Sequence, residues 1–320
     1  MTKIGYPRGL LYYEYYPFWG SFFNNLDVEV ISSIKTNKEI LDSGIENCVD
    51  EACLPVKIFH GHVSSLRDKV DYIFIPKYVS LYKREYNCPK HLGIANMVFH
   101  SIDNLPMIIS PKIVLKNSCD LKSSAHKVGK MFTKNNKKID SAYNDAMKSY
   151  KDHTNWLRSN ILPSTYCRKG NQDRIKLLIL GHSYNVFDSF INMDIIKKLC
   201  EQGVDIVLAE DVSESDKRFY SGNLSKRIFW THGRRIVGSA FYLIENKNID
   251  GIIYLSAFGC GLDSVLINIV ENKAHENNVP IMIMTFDEQT GEAGFNTRFE
   301  AFLDMMKWRS EIEDNFSSSR

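Results

Sequence analysis

"GIIYLSAFGCGLDSVLINIVENK" spans Gly251 to Lys273. It begins as an unbroken apolar run, turns at a cysteine set between two glycines, and continues with a helical pattern. A continuous apolar run of this length reads as a strand covered on both faces, as in a parallel sheet. The stretch is therefore one strand–turn–helix unit, with Cys260 at its hinge. Gly259 and Gly261 permit unusual backbone angles there and let a bulky group approach the main chain. The amides that follow point out of the helix start and favour negative charge.

The same unit recurs along the chain. Strands are expected at "KIGYP", "VEVIS", "YIFIP" and "LPMIIS", and again at "RIKLLILG", "VDIVLA", "GIIYLSA" and "VPIMIMT". Helical patterns lie between them, including "LLYYEYYPFWGSFFNNL", where Pro17 suggests a kink or restart, and "FDSFINMDIIKKLCEQG". Alternation of this kind predicts parallel α/β architecture. From about Cys119 to Leu162 the pattern is polar and helical. The expected organisation is an N-terminal α/β lobe (1–118), a helical connector (119–165) and a C-terminal α/β lobe (166–320). Both lobes are read as doubly wound, Rossmann-like parallel sheets, with a cofactor in the cleft at the carboxyl ends of the strands.

The bulk numbers agree with a globular protein of ordinary composition, with 44% hydrophobic and 24% charged residues. A net charge of +2 gives no reason to expect nucleic acid or an acidic membrane surface. No apolar run approaches the ~18 residues of a membrane span, and the first residues do not read as a signal peptide. A cytoplasmic location is the expectation. The chain has 7 cysteines, at 48, 53, 88, 119, 167, 200 and 260, scattered as reduced thiols would be.

Two of these share the setting of Cys260. Cys53 precedes Pro55 in "DEACLPVKIFHGH", and Cys88 directly precedes Pro89 in "EYNCPKHLGIANMV". Proline is favoured in the first turn of a helix, so all three cysteines are expected beside helix starts. That setting lowers a thiol pKa and favours the metal-binding thiolate. Three thiolates suit an iron–sulfur cluster or a zinc ion. No single-segment motif is present. Cys200 reads as a core position, Cys119 and Cys167 lack the setting, and Cys48 is a weaker extra ligand.

Further candidates surround these positions. Lys57 and His60 follow Cys53 on its helix, where a cation could contact cluster sulfurs or a phosphate; a solvated lysine and a buried histidine are the structural alternatives. "GHSYNVFD" places His182 and Tyr184 after a strand as proton donors. "TFDEQTGEAGF" sets Asp287, Glu288, Thr290 and Glu292 after the last strand, either for acid–base work or for capping and pairing with Arg298 or Arg234 and Arg235. Arg234 and Arg235 open a helix against its dipole, so they call for an acidic partner or an anionic ligand.

The blocks "IGYPRGLLYYEYYPFWGSFF", "NCVDEACLPVKIFHGHV", "VDYIFIPKYVS", "YNCPK", "FGCGLDS" and "DEQTGEAGFNTRFEAFLDM" resemble the acyl-CoA dehydratase activase-related proteins. These belong to the superfamily of 2-hydroxyacyl-CoA dehydratase D-components. The resemblance covers nearly the whole chain. It implies a [4Fe-4S] cluster, or in some relatives a double-cubane cluster, with three cysteine ligands that match Cys53, Cys88 and Cys260. It further implies an ATP-hydrolysing activase as electron donor, a homologous subunit or a second copy of the chain as partner, and an acyl-CoA or other small ligand. Ser183 departs from the pattern, standing where a proline is expected in "GHPYN". The alternatives are a non-catalytic scaffold or maturation partner of a dehydratase or activase, a zinc-bound two-lobe protein, and a metal-free binder of small molecules.

Overall fold

A computed structural model describes residues 1–82, 84–114, 118–162 and 174–318. By internal packing the chain forms two units, Met1–Leu162 with Ile228–His232, and Pro163–Arg227 with Gly233–Arg320. The sequence boundary at 165/166 and Cys167 lie outside the described residues.

The first unit contains strands β1 (Lys3–Tyr6), β2 (Glu29–Ser32), β3 (Tyr72–Phe74), β4 (Lys77–Ser80), β5 (Met107–Ile109) and β6 (Lys112–Val114). Its helices are α1 (Tyr12–Asn24), α2 (Lys38–Glu46), α3 (Leu54–Ser64), α4 (Pro89–Ser101), α5 (Ser118–Gly129), α6 (Asn136–Lys151) and α7 (His153–Asn160). Four strands pair in the order β2-β1-β3-β5, all parallel. The short β4 and β6 form a separate parallel pair that the sequence reading missed.

Helix α1 carries the aromatic run onto this sheet. Trp19, Phe22 and Phe23 are fully buried, and Phe23 and Trp19 pack on Phe74 at ring-centroid distances of 4.9 and 4.7 Å. The indole Nε1–H of Trp19 donates to the Tyr78 hydroxyl at 2.8 Å, so its polar atom is satisfied inside the core. Pro17 lies within α1, which runs through it rather than restarting. Helices α5 to α7, read from sequence as a connector, belong to the first unit. The apolar stripe Ile139, Ala142 and Ala146 of α6 is buried, and Tyr143 of that helix meets Phe18 of α1 edge-on at 5.9 Å.

The second unit contains β7 (Lys176–Gly181), β8 (Asp205–Leu208), β9 (Gly251–Ala257) and β10 (Ile281–Phe286). Its helices are α8 (Ser183–Val186), α9 (Ile195–Glu201), α10 (Glu214–Ser221), α11 (Thr231–Glu245, apart from Thr231 and His232, which group with the first unit), α12 (Gly261–Glu276) and α13 (Glu292–Ser318). The strands pair in the order β10-β9-β7-β8, again all parallel. Both sheets thus follow one scheme, with the first strand central, the second on one side and the later two on the other. The expected parallel α/β fold is present in each unit. In such sheets the chain leaves the two central strands toward opposite faces, and the crevice beyond their carboxyl ends receives ligands. That point lies between β1 and β3 in the first unit and between β7 and β9 in the second.

Candidate metal centre

In the first unit, Cys53 is the N-cap of α3 and Cys88 the N-cap of α4, with proline in the first turn of each. Neither thiol caps its helix. The main chain begins both helices instead, with Val56 N–H donating to Cys53 O at 2.9 Å and Leu92 N–H to Cys88 O at 3.2 Å.

The electrostatics of Cys53 depart from the sequence expectation. Burial pushes the Cys53 thiol up, and the nearby Lys90 cation and the helix-start amides only partly offset it. Charge on Cys88 would raise it further, so these two thiols sense each other. Cys48 behaves alike: burial raises it, while the cations of Lys57 and Lys90 act against that. The helix start was expected to favour thiolates, yet desolvation prevails. A bound metal would displace these protons.

Helix α3 is held in place by a close crossing with α2. A β-carbon on Gly44 would stand 2.1 Å from Lys57 O, and one on Gly61 would stand 1.8 Å from Ile40 O. Lys57 is only 2% exposed, not solvated. His60 is buried and its Nδ1–H donates to Val56 O at 2.8 Å, while burial lowers its pKa. The Cys88 loop is fixed by residues that the sequence reading did not select. Asn87 Nδ2–H donates to Tyr78 O at 2.8 Å. Tyr86 N–H donates to Phe229 O at 2.8 Å, and Tyr86 O accepts from Thr231 N–H at 3.1 Å. Between the ends of β1 and β3 an apolar pocket is lined by Tyr6, Leu10, Phe59, Phe74, Pro76 and His91.

In the second unit Cys260 is the N-cap of α12, directly after β9. Gly259 has φ +76°, which only glycine adopts readily, so its role at the hinge holds. Gly261 needs no such freedom: its φ is not positive, and a β-carbon there would meet open space. His182 follows β7 at the N-cap position of the short α8, with its ring stacked on Tyr184 at 5.0 Å. Its Nε2 lies 3.4 Å from Asp263 Oδ1, and that oxygen accepts the Tyr254 hydroxyl at 2.8 Å. Donor atoms of His182, Cys260 and Asp263 all lie within 4.8 Å of one another. The sequence placed His182 and Cys260 at strand ends but did not select Asp263.

The other charged candidates have structural partners. Arg235 Nε–H donates to Glu214 Oε1 at 2.6 Å and Arg234 to Oε2 at 3.2 Å, so Glu214 is the acidic partner that the helix start required. Burial raises the Glu214 carboxyl, but Arg235, Lys217 and Arg234 together bring it down to about 2. Asp287 accepts from Gln289 N–H at 3.0 Å and from the Thr290 hydroxyl at 2.6 Å, closing the turn before α13. Glu292 pairs with Lys198 at 3.0 Å rather than with an arginine, and Arg298 donates to Ile283 O at 2.6 Å. Glu288, on the same turn, is half-buried.

The family described as CoA enzyme activase uncharacterised domain (DUF2229) matches residues 3–212. The chain belongs to this family. A second description, 2-hydroxyglutaryl-CoA dehydratase, D-component, matches residues 187–306. The first match contains Cys53, Cys88 and His182, and the second contains Cys260 and Asp263. No curated protein matches the chain. Among solved structures, the ligand-free, open structure of CD0873, a substrate binding protein with adhesive properties from Clostridium difficile, is similar at 10% identity over 88% of this chain and 74% of that chain, with a TM-score of 0.23. No helix among the described residues is long and apolar enough to cross a membrane.

Proposed function

We propose that this chain is an iron–sulfur redox component of the dehydratase superfamily, working in the cytoplasm. Cys53, Cys88 and Cys260 would hold a [4Fe-4S] cluster, or part of a double-cubane cluster. An ATP-hydrolysing activase would supply its low-potential electron, for reduction or dehydration of a small or CoA-linked substrate. A homologous subunit or a second copy of the chain would complete the assembly.

The observation that carries this reading is common to three places in the fold. Each of the three cysteines is the N-cap of a helix. They also fall within the matches to an activase-type domain and a dehydratase D-component. A helix start offers oriented amides to an anionic thiolate–sulfide group, and Lys90 adds a cation near Cys53. The donor chemistry suits such a group: thiols of Cys53 and Cys88 in the first unit, with the charge of Cys88 acting on Cys53, and the thiol of Cys260 at a helix start of the second. Such a cluster supplies one-electron chemistry and, with three protein ligands, an iron open to a small molecule.

The chain's own part is to bind and to orient. The α2–α3 crossing fixes Cys53, the Tyr86–Phe229 and Tyr86–Thr231 hydrogen bonds hold the loop before Cys88, and Gly259 turns the chain into Cys260. Purified anaerobically, Cys88→Ala and Cys260→Ala are each expected to lose the brown chromophore and most of the iron and sulfide. Iron content equal to wild type in both variants contradicts the ligand assignment.

A further inference from the structure

His182, Cys260 and Asp263 bring nitrogen, sulfur and oxygen donors to one point of the second unit. They meet beyond the ends of β7 and β9, the crevice in which open parallel sheets place ligands. His182 is 4% exposed and Asp263 1%. A carboxylate so deeply buried requires partners for both oxygens. Oδ1 has the Tyr254 hydroxyl, whereas Oδ2 is buried with no hydrogen-bond partner among the described residues.

We infer that these three side chains form a site for one divalent transition-metal ion, zinc or ferrous iron, held by the second unit alone. A tetrahedral ion with bonds of about 2.0–2.3 Å sets its ligands roughly 3.3–3.8 Å apart. His182 Nε2 already stands 3.4 Å from the Asp263 carboxylate, at Oδ1, and Oδ2 of the same carboxylate, unpartnered among the described residues, is the oxygen that an ion would satisfy. Cys260 is half-buried and closes the remaining gap by rotation of its side chain. Thiolate and carboxylate together neutralise a doubly charged ion, and the start of α12 favours both anions. Calcium and magnesium prefer all-oxygen shells, while thiolate with imidazole selects zinc or iron. The fourth position is left to water or a small ligand. This site does not rest on the cluster reading, but it shares Cys260 with it, so the single ion belongs to the cluster-free protein.

The test uses the full chain carrying Cys53→Ser and Cys88→Ser, stripped of metal and titrated anaerobically with Co²⁺. One Co²⁺ per chain is expected, with a thiolate-to-cobalt charge-transfer band and the visible bands of four-coordinate cobalt. Cys260→Ser should remove the charge-transfer band. His182→Gln, which preserves bulk in the stacked position, should weaken binding at least about 10-fold, with circular dichroism confirming the fold. No binding, or binding that survives both Cys260→Ser and His182→Gln, overturns the inference. Should the double serine chain fail to fold, X-ray absorption on the iron-free wild type loaded with one equivalent of zinc decides between a mixed nitrogen, oxygen and sulfur shell and an all-sulfur shell, which would refute it. Wild-type protein lacking iron and sulfide would sink the cluster reading and leave this site standing; failure of cobalt binding sinks only the site.

Discussion

Gly61 of α3 passes so close to Ile40 of α2 that a β-carbon on it would lie 1.8 Å from the Ile40 carbonyl oxygen. Backbone cannot yield as a flexible side chain can. Gly61→Ala should therefore force the helices apart and destabilise the chain by roughly 3 kcal/mol or more. Gly93→Ala on α4 is the control, because nothing lies within 4 Å of its β-carbon position. It should gain up to about 1 kcal/mol from helix propensity. Urea denaturation of both variants checks the contrast, and equal effects would refute the crossing.

Glu214 unites Arg234, Arg235 and Lys217, at 3.2, 2.6 and 3.7 Å. Its folded pKa, about 2, lies below the ordinary 4.5. The sign follows: its contribution is full above about pH 4.5 and is lost as pH falls through about 2. Glu214→Gln should cost roughly 1–2 kcal/mol near neutral pH, moderated because the carboxylate is partly exposed. A variant as stable as wild type at neutral pH would show that the arginines find another partner.

His62 is fully buried and shares a hydrogen bond with the Thr36 hydroxyl at 3.0 Å. Burial first, and the Arg8 cation second, depress its pKa from 6.5 to about 3. Between those values the unfolded chain binds a proton that the folded chain refuses. Stability from this group is full above about pH 6.5 and declines as pH falls toward about 3. Its ring resonances should show no protonation at about pH 4.5 in the folded protein. A titration midpoint near 6.5 in the native state would contradict this burial.

Tyr254 donates its hydroxyl to a buried carboxylate, Asp263, at 2.8 Å. Burial, then the Asp263 charge, push the Tyr254 phenol well above its usual range. Tyr254→Phe removes one donor and should cost about 1–3 kcal/mol. Thermal denaturation measures it; an unchanged midpoint would mean that Asp263 is neutral or otherwise paired.

Much of this was legible in the sequence, for identifiable reasons. Strands such as "KLLILG" are apolar throughout because both sheet faces are covered, so their type and order were plain. Proline after Cys53 and Cys88, and glycine before Cys260, marked the helix starts. Other features depend on tertiary context. The stretch "FDSFINMDIIKKLCEQG" reads as one helix, but Met193 and Asp194 adopt left-handed conformations, with φ of 53° and 57°, and α9 begins only at Ile195. Strands β4 and β6 are too short to show alternation. The meeting of His182 with Asp263 joins distant segments, so no spacing could reveal it. The expected pKa direction failed at Cys53 because the sequence shows the helix dipole but not the burial.

The most direct test of the central claim is anaerobic purification of the wild-type chain followed by iron, sulfide and zinc analysis and a visible spectrum. The account predicts about four irons and four sulfides per chain, with a broad absorption that bleaches on reduction. Zinc alone, or no metal at all, would contradict it and leave the three helix-start thiols a structural role.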